Sequence, residues 1–363
     1  MSRGRLDVLI AGGGTGGHVF PALALGTALV DRGLDVDFAG SPHGLEARLV
    51  PRAGRTLHLI SGRQVRGRGA RGAALGAAAL AKGLRGALGL IGTLRPRLVA
   101  GVGGYASVAC VLAARLRRVP VVVLEQNAIP GAANRMLGRL ADRVCLGFAE
   151  ADVFFPPGRA VHTGNPIRPE VLSAPVPPRR DGVGVLIFGG SQGAHSLNQA
   201  GVAALEALAP AIPGLRVTHQ TGTSDRAEVA AAYHRLGIDA RVEDFVDDMG
   251  GAYREAGLVV SRAGAMSCAE ITAMGIPAVL VPYPYAADDH QRRNAEILAA
   301  AGAARVILDR ELDGGRLAAA LGPLLADGVA REEMAARSRD LGRPQAAADV
   351  AEVCLEVIRR RST

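Results

Sequence analysis

Gly12-Gly13-Gly14-Thr15-Gly16-Gly17-His18 follows the apolar run Leu6–Ala11 and precedes a helix-like stretch, Val19–Val30. A second loop, Gly189-Gly190-Ser191-Gln192-Gly193, follows the apolar run Val183–Phe188. A glycine-rich turn between a buried strand and a helix lets backbone N–H groups come close to a ligand. The helix adds the positive end of its dipole, and the usual guest is a phosphate. Two such turns about half a chain apart predict two nucleotide-type folds in one chain.

The surrounding pattern agrees. Strand-like runs fall at Asp7–Ala11, Asp35–Ala39, Thr56–Ile60, Leu98–Val102, Val121–Leu124 and Arg143–Leu146, separated by alanine- and leucine-rich stretches such as Pro21–Asp31 and Leu75–Leu94. The alternation restarts with Val183–Phe188, Arg216–Gln220, Arg241–Phe245, Leu258–Ser261, Pro277–Val281 and Arg305–Leu308. Near-continuous apolar strands alternating with helices predict α/β folds with parallel sheets covered on both faces. Between the halves, Gly164-Asn165-Pro166-Ile167-Arg168-Pro169 followed by Pro175, Pro177 and Pro178 reads as a connector. The expected domains are 1–163 and 164–344, with a helix over Gln345–Arg360 in the remaining 345–363.

Bulk properties fit this division. A chain of 363 residues, 49% apolar, suits two domains of roughly 150–200 residues and excludes disorder. Cys110, Cys145, Cys268 and Cys354 have no metal-ligand spacing and suit a reducing compartment. The opening Met-Ser-Arg-Gly-Arg predicts no signal peptide, and Lys82 and Arg85 interrupt the longest apolar region. Net charge is +8, with Lys82 the only lysine, which favours anionic partners, although codon usage alone also yields such arginine-rich chains. With 3% aromatics and no tryptophan, nucleic acid is not the expected partner.

Gly12, Gly14 and Gly17 satisfy G-x-G-x-x-G, which suggests a dinucleotide-dependent oxidoreductase. That reading needs an acidic residue at the end of the second strand, and the strand instead ends Phe38-Ala39-Gly40. His18 sits in the first turn of a helix, whose positive end disfavours imidazolium. A neutral ring there could accept a proton from a hydroxyl nucleophile, or simply pack beneath the loop. Gly101-Val102-Gly103-Gly104-Tyr105-Ala106-Ser107 and Glu125-Gln126-Asn127 also leave strand ends, and should converge with the first loop.

In the second half, Ser191 and Gln192 occupy the phosphate-loop position. Ser261-Arg262-Ala263-Gly264-Ala265-Met266 makes another strand-to-helix turn, and Glu270 follows where a carboxylate could accept both hydroxyls of a ribose or serve the helix dipole. Gln291 and Asn294 open a later helix and could read sugar hydroxyls. The only Asp-x-Asp, Asp35-Val36-Asp37, lies inside a predicted strand of the first half, so no metal site and no cofactor is expected.

In order along the chain, residues 13–18, 101–107, 125–127, 164–168, 189–193, Asp247-Asp248-Met249 and 261–270 resemble the MurG family, bacterial transferases that convert lipid I to lipid II. The resemblance implies a GT-B glycosyltransferase with two Rossmann-like domains and a last helix returning to the first. It implies inverting transfer of N-acetylglucosamine from UDP-N-acetylglucosamine (UDP-GlcNAc) to the 4-hydroxyl of the lipid-linked muramyl pentapeptide. By that pattern the Val246 backbone meets uracil and Glu270 the ribose. Ser191, Arg168 and the helix start Ala265, Met266, Ser267, Cys268, Ala269 surround the diphosphate, and Gln291 meets the sugar. Thr15, Gly16, Gly17 and Asn127 reach in from the first domain. His18 is the candidate base, although the acceptor diphosphate could occupy its loop, and Gly13, Gly14, Gly103, Gly104 and Tyr105 form acceptor loops.

A lipid acceptor implies a peripheral place on the cytoplasmic face of the cell membrane, with anionic phospholipid and other cell-wall synthesis proteins as partners. Arg63, Arg66, Arg68 and Arg71, followed by Leu80, Leu84, Leu88 and Ile91 at helical spacing, read either as a basic-rimmed apolar patch on lipid or as an ordinary core helix. A transferase using diacylglycerol is the neighbouring alternative.

Overall fold

The computed structural model describes residues 5–60, 69–173, 183–190 and 192–361, without the side chains of 69–75 and 77. Arg63, Arg66, Arg68, Pro175, Pro177, Pro178 and Ser191 therefore lie outside the described residues, as does the Arg71 side chain. The chain divides into two compact units, Met1–Arg168 with Gln345–Thr363, and Pro169–Pro344.

The first unit runs β1 (Val8–Gly12), α1 (Gly16–Val30), β2 (Val36–Gly40), α2 (Glu46–Arg52), β3 (Leu57–Leu59), α3 (Gly69–Leu94), β4 (Leu98–Gly103), α4 (Tyr105–Leu116), β5 (Val121–Glu125), α5 (Ala132–Leu140), β6 (Arg143–Leu146) and β7 (Ala160–His162). Its strands pair in parallel in the order β3-β2-β1-β4-β5-β6-β7. Every residue of β1, β2, β4 and β5 is buried, as expected for strands covered on both faces.

The second unit runs α6 (Pro169–Ser173), β8 (Gly184–Phe188), α7 (His195–Leu208), β9 (Arg216–Gln220), α8 (Arg226–Arg235), β10 (Asp239–Glu243), α9 (Met249–Glu255), β11 (Leu258–Ser261), α10 (Ala265–Met274), β12 (Ala278–Leu280), α11 (His290–Ala300), β13 (Ala304–Val306), α12 (Gly314–Ala326) and α13 (Gly328–Leu341). Its sheet order is β10-β9-β8-β11-β12-β13, again parallel.

The last helix, α14 (Ala346–Arg360), belongs to the first unit. Val350, Ala351, Cys354, Val357 and Ile358 form one side of it, buried in a cluster with Val8, Ile10, Leu98 and Ala100 of β1 and β4. Each buried Val or Ile contributes about 1.5–3 kcal/mol, ample to dock a four-turn helix. Arg361 Nη2 on Asp142 Oδ1 at 3.3 Å adds a half-exposed ion pair at its end.

Three expectations change. Residues 164–168 pack with the first unit rather than the second, because Gly164 N–H donates to Leu146 O (3.0 Å) and buried Asn165 Nδ2 donates to Gln126 O (2.9 Å). The strand expected at Arg241–Phe245 lies at Asp239–Glu243, where it pairs with Arg216–Gln220, and Phe245 stands in the following loop. An unforeseen strand, β7, closes the first sheet. Both are edge strands, whose partly exposed residues carry little apolar signal.

The stripe on α3 is core in its C-terminal part. Ile91 is buried, and Leu84 and Leu88 pack beside it against the α4 residues Ala109, Cys110 and Ala113. Of the two readings of this stripe, the packing of Leu84, Leu88 and Ile91 favours the core helix, with Ile91 buried and the two leucines partly so. Among the described residues no helix is long and apolar enough to cross a membrane.

Candidate active site

In each sheet the strand order reverses beside the first strand of the unit, between β1 and β4 and between β8 and β11. Open parallel sheets bind ligands outside the carboxyl ends of the strands at this switch point. Both glycine loops leave from there.

In the first unit the two loops interlock. Gly13 N–H donates to Gly103 O at 3.3 Å. Gly104, at φ +81°, has no room for a side chain because a β-carbon would overlap the Gly13 carbonyl. Gly14 and Thr15 are exposed, and Thr15 caps α1 from an extended conformation without a side-chain hydrogen bond. The N–H groups of Thr15, Gly16 and Gly17 thus stand at the start of a helix, where orphan donors attract acceptors.

His18 is half-buried over this junction. Its Nδ1 lies 3.1 Å from Gly13 O. A carbonyl only accepts, so Nδ1 carries the proton and Nε2 of the neutral ring keeps its lone pair. Burial holds the imidazole below its ordinary 6.5, outweighing the raising effects of the Gly13 carbonyl and the Glu46 charge. The neutral ring expected from the sequence is favoured, chiefly by desolvation. A proton-accepting Nε2 in the first turn of a helix that opens from this loop suits activation of a hydroxyl.

Tyr105 turns elsewhere: its hydroxyl donates to Ala79 O on α3, and burial raises its pKa. Asn127 is half-buried at the end of β5, its N–H on Glu125 Oε1 at 2.9 Å. Glu125 is buried, accepts Asn134 Nδ2 at 2.8 Å on its other oxygen, and is pushed upward in pKa by burial despite these bonds. Gln126 Nε2 on Val102 O (3.0 Å) ties this strand end to β4. The Arg168 guanidinium stacks over the Phe20 ring of α1 at 4.6 Å, a cation–π contact in the first unit.

In the second unit, Gly190 (φ +96°) and Gly193 (φ +76°) shape the loop, and Gly193 N–H donates to Gly190 O at 2.9 Å. Gln220 Nε2 fastens Gly190 O at 2.7 Å, leaving Gln192 exposed. Glu270 is buried at 5% exposure on α10 and accepts the Tyr253 hydroxyl on Oε2 at 3.1 Å. The start of α10 has no side-chain cap: Ala265, Met266 and Cys268 are buried there, and Ser267 and Ala269 are half-buried. Val246 is buried just before α9. Gln291 Oε1 accepts the Tyr283 N–H at 3.0 Å, which holds its amide beside the end of β12. Asn294 is fully buried and donates to Ala263 O at 3.2 Å.

Sequence reasoning missed two residues. Buried Arg262 ion-pairs with Asp309 at 2.6 Å and donates to Val281 O, Pro282 O and Ser196 Oγ, so one guanidinium braces three segments at the carboxyl ends of the strands. Glu46 is 2% exposed and accepts Gly14 N–H at 2.7 Å. An acid in the first turn of a helix usually reads as a dipole partner, which hides such a role. Asp37, the acid nearest the end of β2, is buried and held by His58 Nε2 at 2.7 Å, so it offers no ribose contact of the dinucleotide kind.

Comparison with known proteins agrees with this layout. Residues 8–146 match the glycosyltransferase family 28 N-terminal domain, and 184–352 match its C-terminal domain. A relative from Pelobacter propionicus is 43% identical over 97% of this chain and 99% of its own. One from Anaeromyxobacter sp. is 45% identical over 98% and 94%. Both are named UDP-N-acetylglucosamine–N-acetylmuramyl-(pentapeptide) pyrophosphoryl-undecaprenol N-acetylglucosamine transferase. The crystal structure of Acinetobacter baumannii MurG superposes with a TM-score of 0.80 at 33% identity, covering 97% of this chain and 99% of that one. With both domain models matched and relatives this similar over nearly the whole length, the chain belongs to glycosyltransferase family 28, in the MurG family.

Proposed function

We infer that this chain transfers N-acetylglucosamine from UDP-GlcNAc to the muramyl 4-hydroxyl of lipid I, giving lipid II and UDP with inversion at the anomeric carbon. The observation that carries the reading is near-full-length identity of 43% and 45% to relatives named for this transfer. The Nε2 of neutral His18 takes the acceptor proton as the hydroxyl attacks, and UDP leaves in the same displacement. No covalent sugar intermediate and no metal enter this reading. The second unit's loop amides and the uncapped start of α10 face the leaving diphosphate, where fixed donors stabilise developing charge. Glu270 holds the ribose, the Val246 backbone the uracil and Gln291 the sugar, while Thr15, Gly16, Gly17 and Asn127 serve the first unit's side.

The acceptor's lipid requires a membrane surface, so the enzyme works as a peripheral protein on the cytoplasmic face. Leu116 is 66% exposed at the end of α4, with exposed Arg117 and Arg118 beside it. An exposed leucine followed by two arginines suits anionic phospholipid. The test is UDP release from UDP-GlcNAc by purified protein. The reading expects release only with a lipid I analogue; release with diacylglycerol alone would replace the acceptor.

A further inference from the structure

Glu46 opens α2 but turns its side chain back towards the first glycine loop. Oε2 accepts Gly14 N–H at 2.7 Å and Oε1 accepts Ser41 N–H at 2.8 Å, so the carboxylate joins the ends of β1 and β2. It is 2% exposed; among the described residues it forms no ion pair, and the titratable group that feels its charge is His18. Burial of a charge is costly unless hydrogen bonds replace its water. Here two backbone amides do so, in short bonds of the charge-assisted kind.

The fit is built from glycine. A β-carbon at Gly13, Gly40 or Gly44 would overlap the Glu46 side chain, so three segments give up side chains to admit one carboxyl group. Gly13 stands at φ +152° and Gly14 at φ +94°, conformations that the Gly14 bond helps to hold. In a glycine-loop fold this is where an external anion would meet the first free amide.

We propose that Glu46 is a positioning residue that serves as the first glycine loop's internal anion, fixing the loop that carries His18 and removing the Gly14 amide from phosphate binding. The loop then presents the acceptor hydroxyl to His18, while the donor diphosphate depends on the second unit. This rests on the transferase reading above.

Glu46→Gln keeps the shape but loses the charge and turns one acceptor into a donor facing an N–H. The full chain carrying it should show kcat lowered about 10-fold or more, as for a misplaced catalytic group. Its KM for UDP-GlcNAc should stay within about 2-fold, since a loop that binds no donor phosphate leaves donor affinity alone. Hydrogen exchange at the Gly14 and Ser41 amides should accelerate. If Glu46→Gln does not fold, Gly44→Ala, whose methyl displaces the same carboxyl group, must give this pattern. Unchanged kcat, unchanged amide exchange, or a raised donor KM at normal kcat would each overturn the proposal. Should the wild-type chain transfer no sugar, the transferase reading fails, and amide exchange alone still decides whether Glu46 holds the loop.

Discussion

The His18 ring lies against the bare Cα of Gly103: a β-carbon there would stand 2.6 Å from Cδ2 and 2.7 Å from Nε2 of the imidazole. Gly103 also holds φ +108°, so any side chain is strained as well as crowded. Gly103→Ala should therefore push the ring off its seat. We expect kcat to fall about 10- to 100-fold with UDP affinity near normal, and stability to drop by about 1–3 kcal/mol. Steady-state kinetics and denaturant unfolding read both; wild-type turnover would detach His18 from Gly103.

His18 should titrate below 6.5, because burial disfavours imidazolium. Carbon-detected NMR of the labelled ring measures this directly. The acid limb of the kcat profile should follow the same group, and His18→Ala should lower kcat about 10²- to 10⁴-fold without loss of UDP binding. A His18 titrating above 6.5, or a variant that loses UDP but keeps turnover, would remove the base.

His219 offers a test of pH linkage. It is fully buried, with Nδ1 2.9 Å from Tyr233 Oη and Nε2 3.1 Å from Asn198 Oδ1. The Asn198 amide nitrogen already donates to Thr221 O and Asp225, so Oδ1 must accept and Nε2 carries the ring proton. Burial lowers this histidine to about 3 from 6.5. Between those values the unfolded chain binds a proton that the folded chain refuses, so stability falls as pH drops below about 6.5. The slope contributed approaches about 1.4 kcal/mol per pH unit. His219→Gln should flatten the dependence by about one proton between pH 6 and roughly pH 4. An unchanged slope in urea unfolding would contradict it.

Tyr253→Phe removes the hydroxyl that donates to Glu270 Oε2. A buried hydrogen bond contributes about 1 kcal/mol, so the Kd for UDP should rise roughly 5-fold, and Glu270→Ala should raise it further. Both are read by UDP titration calorimetry. Unchanged donor affinity in Glu270→Ala would take it out of the ribose site.

The parallel sheets and their glycine turns were legible because buried strands are nearly all apolar and positive-φ turns demand glycine. β7 and the register of β10 were not, since an edge strand need not be apolar. The convergence of the loops at 12–18 and 101–107 followed from strand order, which spacing alone suggested. The α3 stripe was ambiguous in sequence because core and membrane faces share one period; only the packing of Leu84, Leu88 and Ile91 against α4 separated them. Glu46 stayed hidden because its partners are backbone amides, which leave no mark on residue type.

The most direct measurement is the structure of the product. Purified protein given UDP-GlcNAc and a lipid I analogue should release one UDP per β-1,4-linked disaccharide formed, with the β-anomeric coupling visible by proton NMR. An α-linked product, free N-acetylglucosamine without disaccharide, or transfer to diacylglycerol alone would contradict the account.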